Sequence, residues 1–202
     1  MFSLKLSLKL DRGSGLGASI PVPVCLSAPV RSGIGGEYVG DVISVTDNGT
    51  WTNAPTSFLY QWHNSNGVIV GATSSTYTVQ IADVNSGLHC EVTAVNAGGN
   101  SLPAETDVFT TAPATLTNTS APVASDNNGG AHPADITTTD GSWDSNPPGP
   151  TFTYNWYKNM GGFFGMTNTV SSDTAGDYYC EILASNALVS NIAANSNTVS
   201  LV

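Results

Sequence analysis

Leu88-His89-Cys90-Glu91-Val92-Thr93-Ala94-Val95-Asn96-Ala97 and Tyr178-Tyr179-Cys180-Glu181-Ile182-Leu183-Ala184-Ser185-Asn186-Ala187 are two versions of one segment. In each, the apolar positions step by two: Leu88, Cys90, Val92 and Ala94 in the first, Tyr178, Cys180, Ile182 and Ala184 in the second. A period of two places every second side chain on the same face of an extended chain, so both segments read as half-buried strands.

Working outward from this pair, the rest of the chain repeats in the same order. Ser27-Ala28-Pro29-Val30 returns as Ser120-Ala121-Pro122-Val123, and Asp47-Asn48-Gly49-Thr50-Trp51 as Thr139-Asp140-Gly141-Ser142-Trp143. Tyr60-Gln61-Trp62 returns as Tyr154-Asn155-Trp156. The spacing is about 92 residues, the length of a small domain, so the repeat fixes the organisation before any strand is assigned. We place an N-terminal extended arm and glycine hinge at residues 1–20, a first domain at 21–112 and a second at 113–202. Turn signals such as Asn64-Ser65-Asn66-Gly67, Ala97-Gly98-Gly99-Asn100 and Asn146-Pro147-Pro148-Gly149-Pro150 punctuate both copies, and no window reads as a long helix.

A Trp followed 24 to 28 residues later by a Cys, as in Trp156 with Cys180 and Trp62 with Cys90, resembles the C and F strands of an immunoglobulin-type sandwich. The predicted fold is therefore all-β: two tandem immunoglobulin-like β-sandwich domains. Tyr178, two residues before Cys180, resembles the tyrosine corner of that family, whereas the first unit has Leu88 there. The first unit is also similar to immunoglobulin-like repeats of bacteria and bacteriophages, through Trp51, Pro55, Tyr60-Gln61-Trp62, Gly71-Ala72-Thr73-Ser74-Ser75-Thr76-Tyr77 and Ala94-Val95-Asn96-Ala97-Gly98-Gly99. In the second unit the Gly-Ala-Thr segment is replaced by Gly165-Met166-Thr167-Asn168-Thr169, and the assignment there rests on the repeat. The resemblance implies modules of phage virion proteins or bacterial surface proteins that serve adhesion or decoration. Neither unit has a Cys on the expected B strand, around Val42 to Val45 and Ile136 to Thr138, so the inter-sheet disulfide of the family is not expected. Cys90 and Cys180 should pack as small hydrophobes beside Trp62 and Trp156. Cys25, near the first strand, is the candidate for an intermolecular disulfide.

Charged residues make up only 10% of the chain and hydrophobic ones 40%, so Ser, Thr, Asn and Gly must cover much of the surface, which suits short strands and tight turns. Fifteen acidic against five basic residues give a net charge of −10, which argues against nucleic acid or an anionic membrane surface as partner. The spacing of the three cysteines fits no zinc or redox motif, and neither a nucleophile elbow nor a phosphate loop is present. We expect no catalysis, no cofactor and no metal. Asp107, Asp126, Asp140 and Asp144 are read as turn formers in preference to calcium ligands.

Two features point to binding. Phe2, Leu4, Leu6, Leu8 and Leu10 alternate with Ser3, Lys5, Ser7 and Lys9, so residues 1–10 read as an amphipathic strand that needs a partner, and Lys5 and Lys9 rule out the unbroken apolar stretch of a secretory signal. Lys5, Lys9 and Arg12 are three of the five basic residues, which favours an acidic partner surface. Phe163-Phe164, between glycines after the C strand, reads as a hairpin tip for contact with a partner subunit or, alternatively, a glycan or cell surface. The expected role is that of a non-enzymatic virion protein on the phage particle surface. It would be a capsid decoration (cement) protein or a tail or fibre accessory, held to capsid or tail subunits by its arm and forming a homo-oligomer.

Overall fold

The structure is a computed structural model describing residues 19–33, 35–159 and 161–202. The candidate arm residues Phe2, Leu4, Lys5, Leu6, Leu8, Lys9 and Leu10 lie outside the described residues. The chain is all-β, with a single 3-10 turn at Ile81–Asp83 among the described residues. The first unit contains β1 (Cys25–Ser27), β2 (Val30–Arg31), β3 (Val42–Asp47), β4 (Thr50–Trp51), β5 (Ser57–Asn64), β6 (Gly67–Val68), β7 (Thr76–Thr78), β8 (Gly87–Asn96), β9 (Gly99–Asn100), β10 (Ala104–Glu105) and β11 (Phe109–Thr110). The second contains β12 (Thr115–Ser120), β13 (Ala124–Asp126), β14 (Ala134–Thr138), β15 (Ser142–Asn146), β16 (Thr151–Lys158), β17 (Gly162–Gly165), β18 (Thr169–Ser172), β19 (Gly176–Ser185), β20 (Ile192–Asn195) and β21 (Val199–Leu201).

The two units share one strand order. In the first, β1 pairs with β4 (as β12 does with β15 in the second), β2-β3-β7 forms a second sheet, and the largest is built on β5 and β8, with β6 outside β5 and β9, β10 and β11 along the far side of β8. In the second, β13-β14-β18 faces a sheet built on β16 and β19, with β17 outside β16 and β20 and β21 beside β19. The pairing of β5 with β8 and of β16 with β19 joins strands distant in sequence while the second of the two strands between them, β7 or β18, crosses to the opposite sheet, the Greek-key arrangement of an immunoglobulin-like sandwich. The inward alternation of β8 and β19 buries Leu88, Cys90, Val92 and Ala94, and Tyr178, Cys180, Ile182 and Ala184. Two hydrophobic clusters result, one around Trp62, Ile43 and Val79, the other around Trp156, Ile136 and Val170.

The repeated sequence landmarks are repeated contacts. The indole N–H of Trp51 donates to the carbonyl of Asn48 at 2.7 Å, and that of Trp143 to the carbonyl of Asp140 at 2.8 Å. From the neighbouring strand, Tyr60 donates its hydroxyl to Asn48 Oδ1 at 2.9 Å, and Tyr154 to Asp140 Oδ1 at 2.5 Å. Gly49 and Gly141 hold φ of +79° and +75°, and a Cβ at either would lie 2.3 Å from the carbonyl oxygen of Ser27 or Ser120. Only glycine fits there, for both reasons. At the end of the long strand, Asn96 donates to the carbonyls of Pro21 and Asn53, and Asn186 to that of Thr115, so one amide per unit ties down the incoming first strand.

At the junction, Asn146 is fully buried: its Oδ1 accepts the N–H of Val39 at 3.1 Å and its Nδ2 donates to the carbonyl of Pro113 at 2.8 Å. A side chain of the second unit thus satisfies a backbone donor of the first.

Candidate functional site

Trp62 and Trp156 stand directly across from Cys90 and Cys180, and all four are fully buried. Their indole N–H groups donate to the carbonyls of Ser74 and Thr167 at 3.0 and 2.8 Å. Burial pushes both thiols up to about 11, against hydrogen bonding from the Gln61 and Asn155 backbones that pulls the other way. Both cysteines are free thiols held neutral. Cys25 is half-buried and its thiol donates to the carbonyl of Ser27 at 3.1 Å, the place filled in the second unit by Asn118, which donates to Ser120.

Tyr178 donates its hydroxyl to the carbonyl of Thr174 at 2.8 Å and lies 2.6 Å from Ser172 Oγ, tying the turn before β19 to its own backbone. The first unit, with Leu88 in this place, secures the same turn differently. Asp83, 1% exposed, accepts hydrogen bonds from the Tyr77 hydroxyl at 2.6 Å, the Gln80 N–H at 2.9 Å and Asn64 Nδ2 at 3.0 Å. Burial, followed by the bond to Asp83, raises the Tyr77 phenol well above its ordinary value. Sequence reading missed Asp83, since an acid in a loop ordinarily signals a solvated turn. The aspartate three residues after Gln80, a capping-box spacing, was the available signal.

Phe163 and Phe164 do not sit at a hairpin tip. They belong to β17, and the alternation of that strand sends them to opposite faces. Phe164 turns inward and meets Tyr178 edge-on, with ring centroids 5.2 Å apart, so it belongs to the core. Phe163 turns outward, 61% exposed, and packs edge-on against Tyr157, which stacks on Tyr179 at 5.2 Å. One row further along the sheet, Glu181 accepts from Asn155 at 3.3 Å and from the Tyr157 hydroxyl at 3.4 Å.

The corresponding face of the first unit carries different chemistry in the same register. His63 and His89 stand where Tyr157 and Tyr179 do, stacked at 5.0 Å, with Val68 in the place of Phe163. His63 Nε2 lies 3.4 Å from Glu91, the counterpart of Glu181. Glu91 in turn faces Glu105 across the strands.

The acids considered for calcium are occupied separately. Asp107 pairs with Arg31 at 3.0 Å, while Asp126 accepts from Asn128 and Gly130, which lowers its carboxyl below the ordinary range. Asp140 accepts from Tyr154, and Asp144 lies on β15 opposite Thr117. Among the described residues no group of three or more His, Cys, Asp or Glu converges on a metal position, and no helix is long and apolar enough to cross a membrane.

No protein-family model and no curated protein sequence matches the chain. Among solved structures it is similar to three N-terminal domains of the bacteriophage RB49 Highly Immunogenic Outer Capsid protein (Hoc), at 15% identity and a TM-score of 0.33, over 82% of this chain and 55% of that one. It is similar also to the chicken CNTN1 FN1-FN3 domains, at 13% identity and a TM-score of 0.30, over 84% of this chain and 65% of that one. The chain therefore spans less than two thirds of each of these structures. Its immunoglobulin-like assignment rests on its own strand order, pairing register and paired core residues.

Proposed function

We propose that the chain is a non-catalytic display scaffold of a bacteriophage particle, a capsid decoration protein or a tail or fibre accessory, attached through residues 1–10. The observation that carries this reading is the contrast between the two copies. Several buried devices repeat: the Trp and Cys across from each other, the indole and phenol bonds to the turn, and the asparagine at the end of the long strand, whereas the turn before the long strand is secured by Asp83 in one unit and Tyr178 in the other. The outward face of the same sheet changes from two imidazoles to a row of three aromatic rings. A sandwich whose core landmarks recur while its exposed face varies suits presentation of binding surfaces. The phage setting follows from the resemblance of the Tyr60-Gln61-Trp62 region to phage immunoglobulin-like repeats, and the attachment from the amphipathic, cationic character of residues 1–10. Removing residues 1–17 should abolish incorporation into particles while the far-UV circular dichroism of a β protein is retained; unchanged incorporation overturns the reading.

A second reading, glycan or cell-surface adhesion, is favoured by the exposure of Phe163 beside Tyr157 and Glu181. Aromatic rings flanked by a carboxylate and an amide suit a neutral sugar. Only Phe163 tests it, because Phe164 is a core residue. Glycan-array binding by the wild type that Phe163→Ala removes supports adhesion, and no binding by the wild type refutes it.

A further inference from the structure

The outward side of the first strand is built differently in the two sandwiches. In the second, β12 turns Thr115, Thr117 and Thr119 away from the core, as expected of a strand with one face in water. In the first, the equivalent positions are Val22, Val24 and Leu26, exposed by 40%, 57% and 69%. The equivalence is fixed by pairing, because Cys25 faces Trp51 and Ser27 faces Thr50 where Asn118 faces Trp143 and Ser120 faces Ser142. Both strands break register at the same point. Ile20 extends the apolar row, and Leu102, 86% exposed, forms with Pro103 the far wall of a groove of about 310 Å³ against Val22, Pro23, Val24 and Cys25. An apolar groove beside exposed apolar side chains, on a surface otherwise covered largely by Ser, Thr, Asn and Gly, marks a contact.

The occupant is indicated by what the first unit has and the second lacks. Residues 1–18 have no counterpart in the second copy, they lead directly into the apolar row, and their own apolar side chains follow the same period of two. We propose that the row and groove of one copy seat residues 2–10 of a second copy, an inference that rests on the reading of this segment as a docking strand. Phe2, Leu4, Leu6, Leu8 and Leu10 cover Ile20, Val22, Val24, Leu26 and Leu102, and Lys5 and Lys9 project from the other side.

A cross-link distinguishes exchange between copies from folding back on the same chain. Residues 11–18, with Gly13, Gly15 and Gly17, form a connection longer than the two to five residues of ordinary hairpins. Fully extended, such a connection spans about 26 Å at ~3.3 Å per residue.

The second unit supplies the control. The full-length variant carrying Val22→Thr, Val24→Thr and Leu26→Thr, residues of the type the second unit places there, should sediment as a monomer with unchanged circular dichroism at concentrations where the wild type self-associates. In a Cys25→Ser background, Leu6→Cys with Leu102→Cys should give disulfide-linked multimers on a non-reducing gel. A wild type that is monomeric throughout, a link formed within one chain, or no link at all overturns the inference, and the cross-link decides if the threonine variant does not fold. Incorporation into particles, measured on the same threonine variant, separates the two readings: incorporation retained with self-association lost keeps the exchange and overturns an anchor made through it, while loss of incorporation on removing residues 1–17 from a monomeric protein keeps the anchor and overturns the exchange.

Discussion

Replacing Asp83 by alanine should destabilise the first sandwich severely and leave the second nearly untouched. The carboxylate is 1% exposed and accepts from the Tyr77 hydroxyl, the Gln80 N–H and Asn64 Nδ2. Removing it leaves these donors without partners, and each orphaned buried donor costs about 1–3 kcal/mol. Gln80 and Asn64 border the surface and can recover part of that from water, whereas Tyr77 is wedged against Trp62 with ring centroids 5.8 Å apart. The expected loss is therefore about 3 kcal/mol, nearer the lower end of the sum. With an m value of ~1.5 kcal/mol/M for a domain of this size, the urea midpoint of that transition should fall by roughly 2 M. Tryptophan fluorescence during urea unfolding reports it, with Trp143→Phe used to assign the transition that contains Trp62. Asp83→Asn keeps the shape but sets one amide against that of Asn64, so a loss of roughly half is expected. A shift below about 0.5 M for Asp83→Ala, or an equal shift in both transitions, would refute the view that this network replaces the tyrosine corner.

Three further outcomes follow from the geometry. Gly141→Ala should destabilise the second unit by about 2–3 kcal/mol in the same urea experiment, since the new Cβ meets the Ser120 carbonyl at a positive φ; a change within ~0.5 kcal/mol would contradict the close approach. Stability should fall at alkaline pH: burial and the bond to Asp140 push Tyr154 up to about 12, and Tyr77 is raised in the same direction. A phenol whose folded value lies above its unfolded value contributes stability fully below about pH 10, and that contribution is lost as pH rises toward 12. Urea midpoints measured from pH 8 to 11 should therefore be level and then drop, less so in Tyr154→Phe, and a level profile throughout would count against the assignment. A thiol reagent at pH 8 should modify Cys25 alone in the native protein and all three cysteines in urea, because Cys90 and Cys180 are fully buried; rapid native labelling of either would contradict the core.

The recurrence of Cys-Glu, Tyr-x-Trp and Gly-x-Trp at one spacing was enough to predict a repeated β-sandwich, because those residues act through local rules: period-two burial, a glycine-only turn, and an indole that bonds to the turn beside it. The candidate surfaces were only partly legible. Alternation alone could not decide which of Phe163 and Phe164 faces water, because the answer depends on the register of β17 against β16, where the pairing shifts between Trp156 and Tyr157. Nothing in the spacing marks His63 and His89 as the positional partners of Tyr157 and Tyr179, which only the pairing of β5 with β8 and of β16 with β19 establishes.

The sequence by itself determined the all-β class and the two-fold repeat, because backbone periodicity and turn chemistry are properties of neighbouring residues. Only the tertiary structure decided the Asp83 latch, the Asn146 junction and the apolar row from Ile20 to Leu26. Each depends on groups distant in the chain meeting across a fold: Tyr77, Gln80 and Asn64 around one carboxylate, Val39 and Pro113 around one amide, and Leu102 beside the first strand. Nothing in the spacing of those residues marks them as neighbours, since what brings them together is the crossing of strands between two sheets.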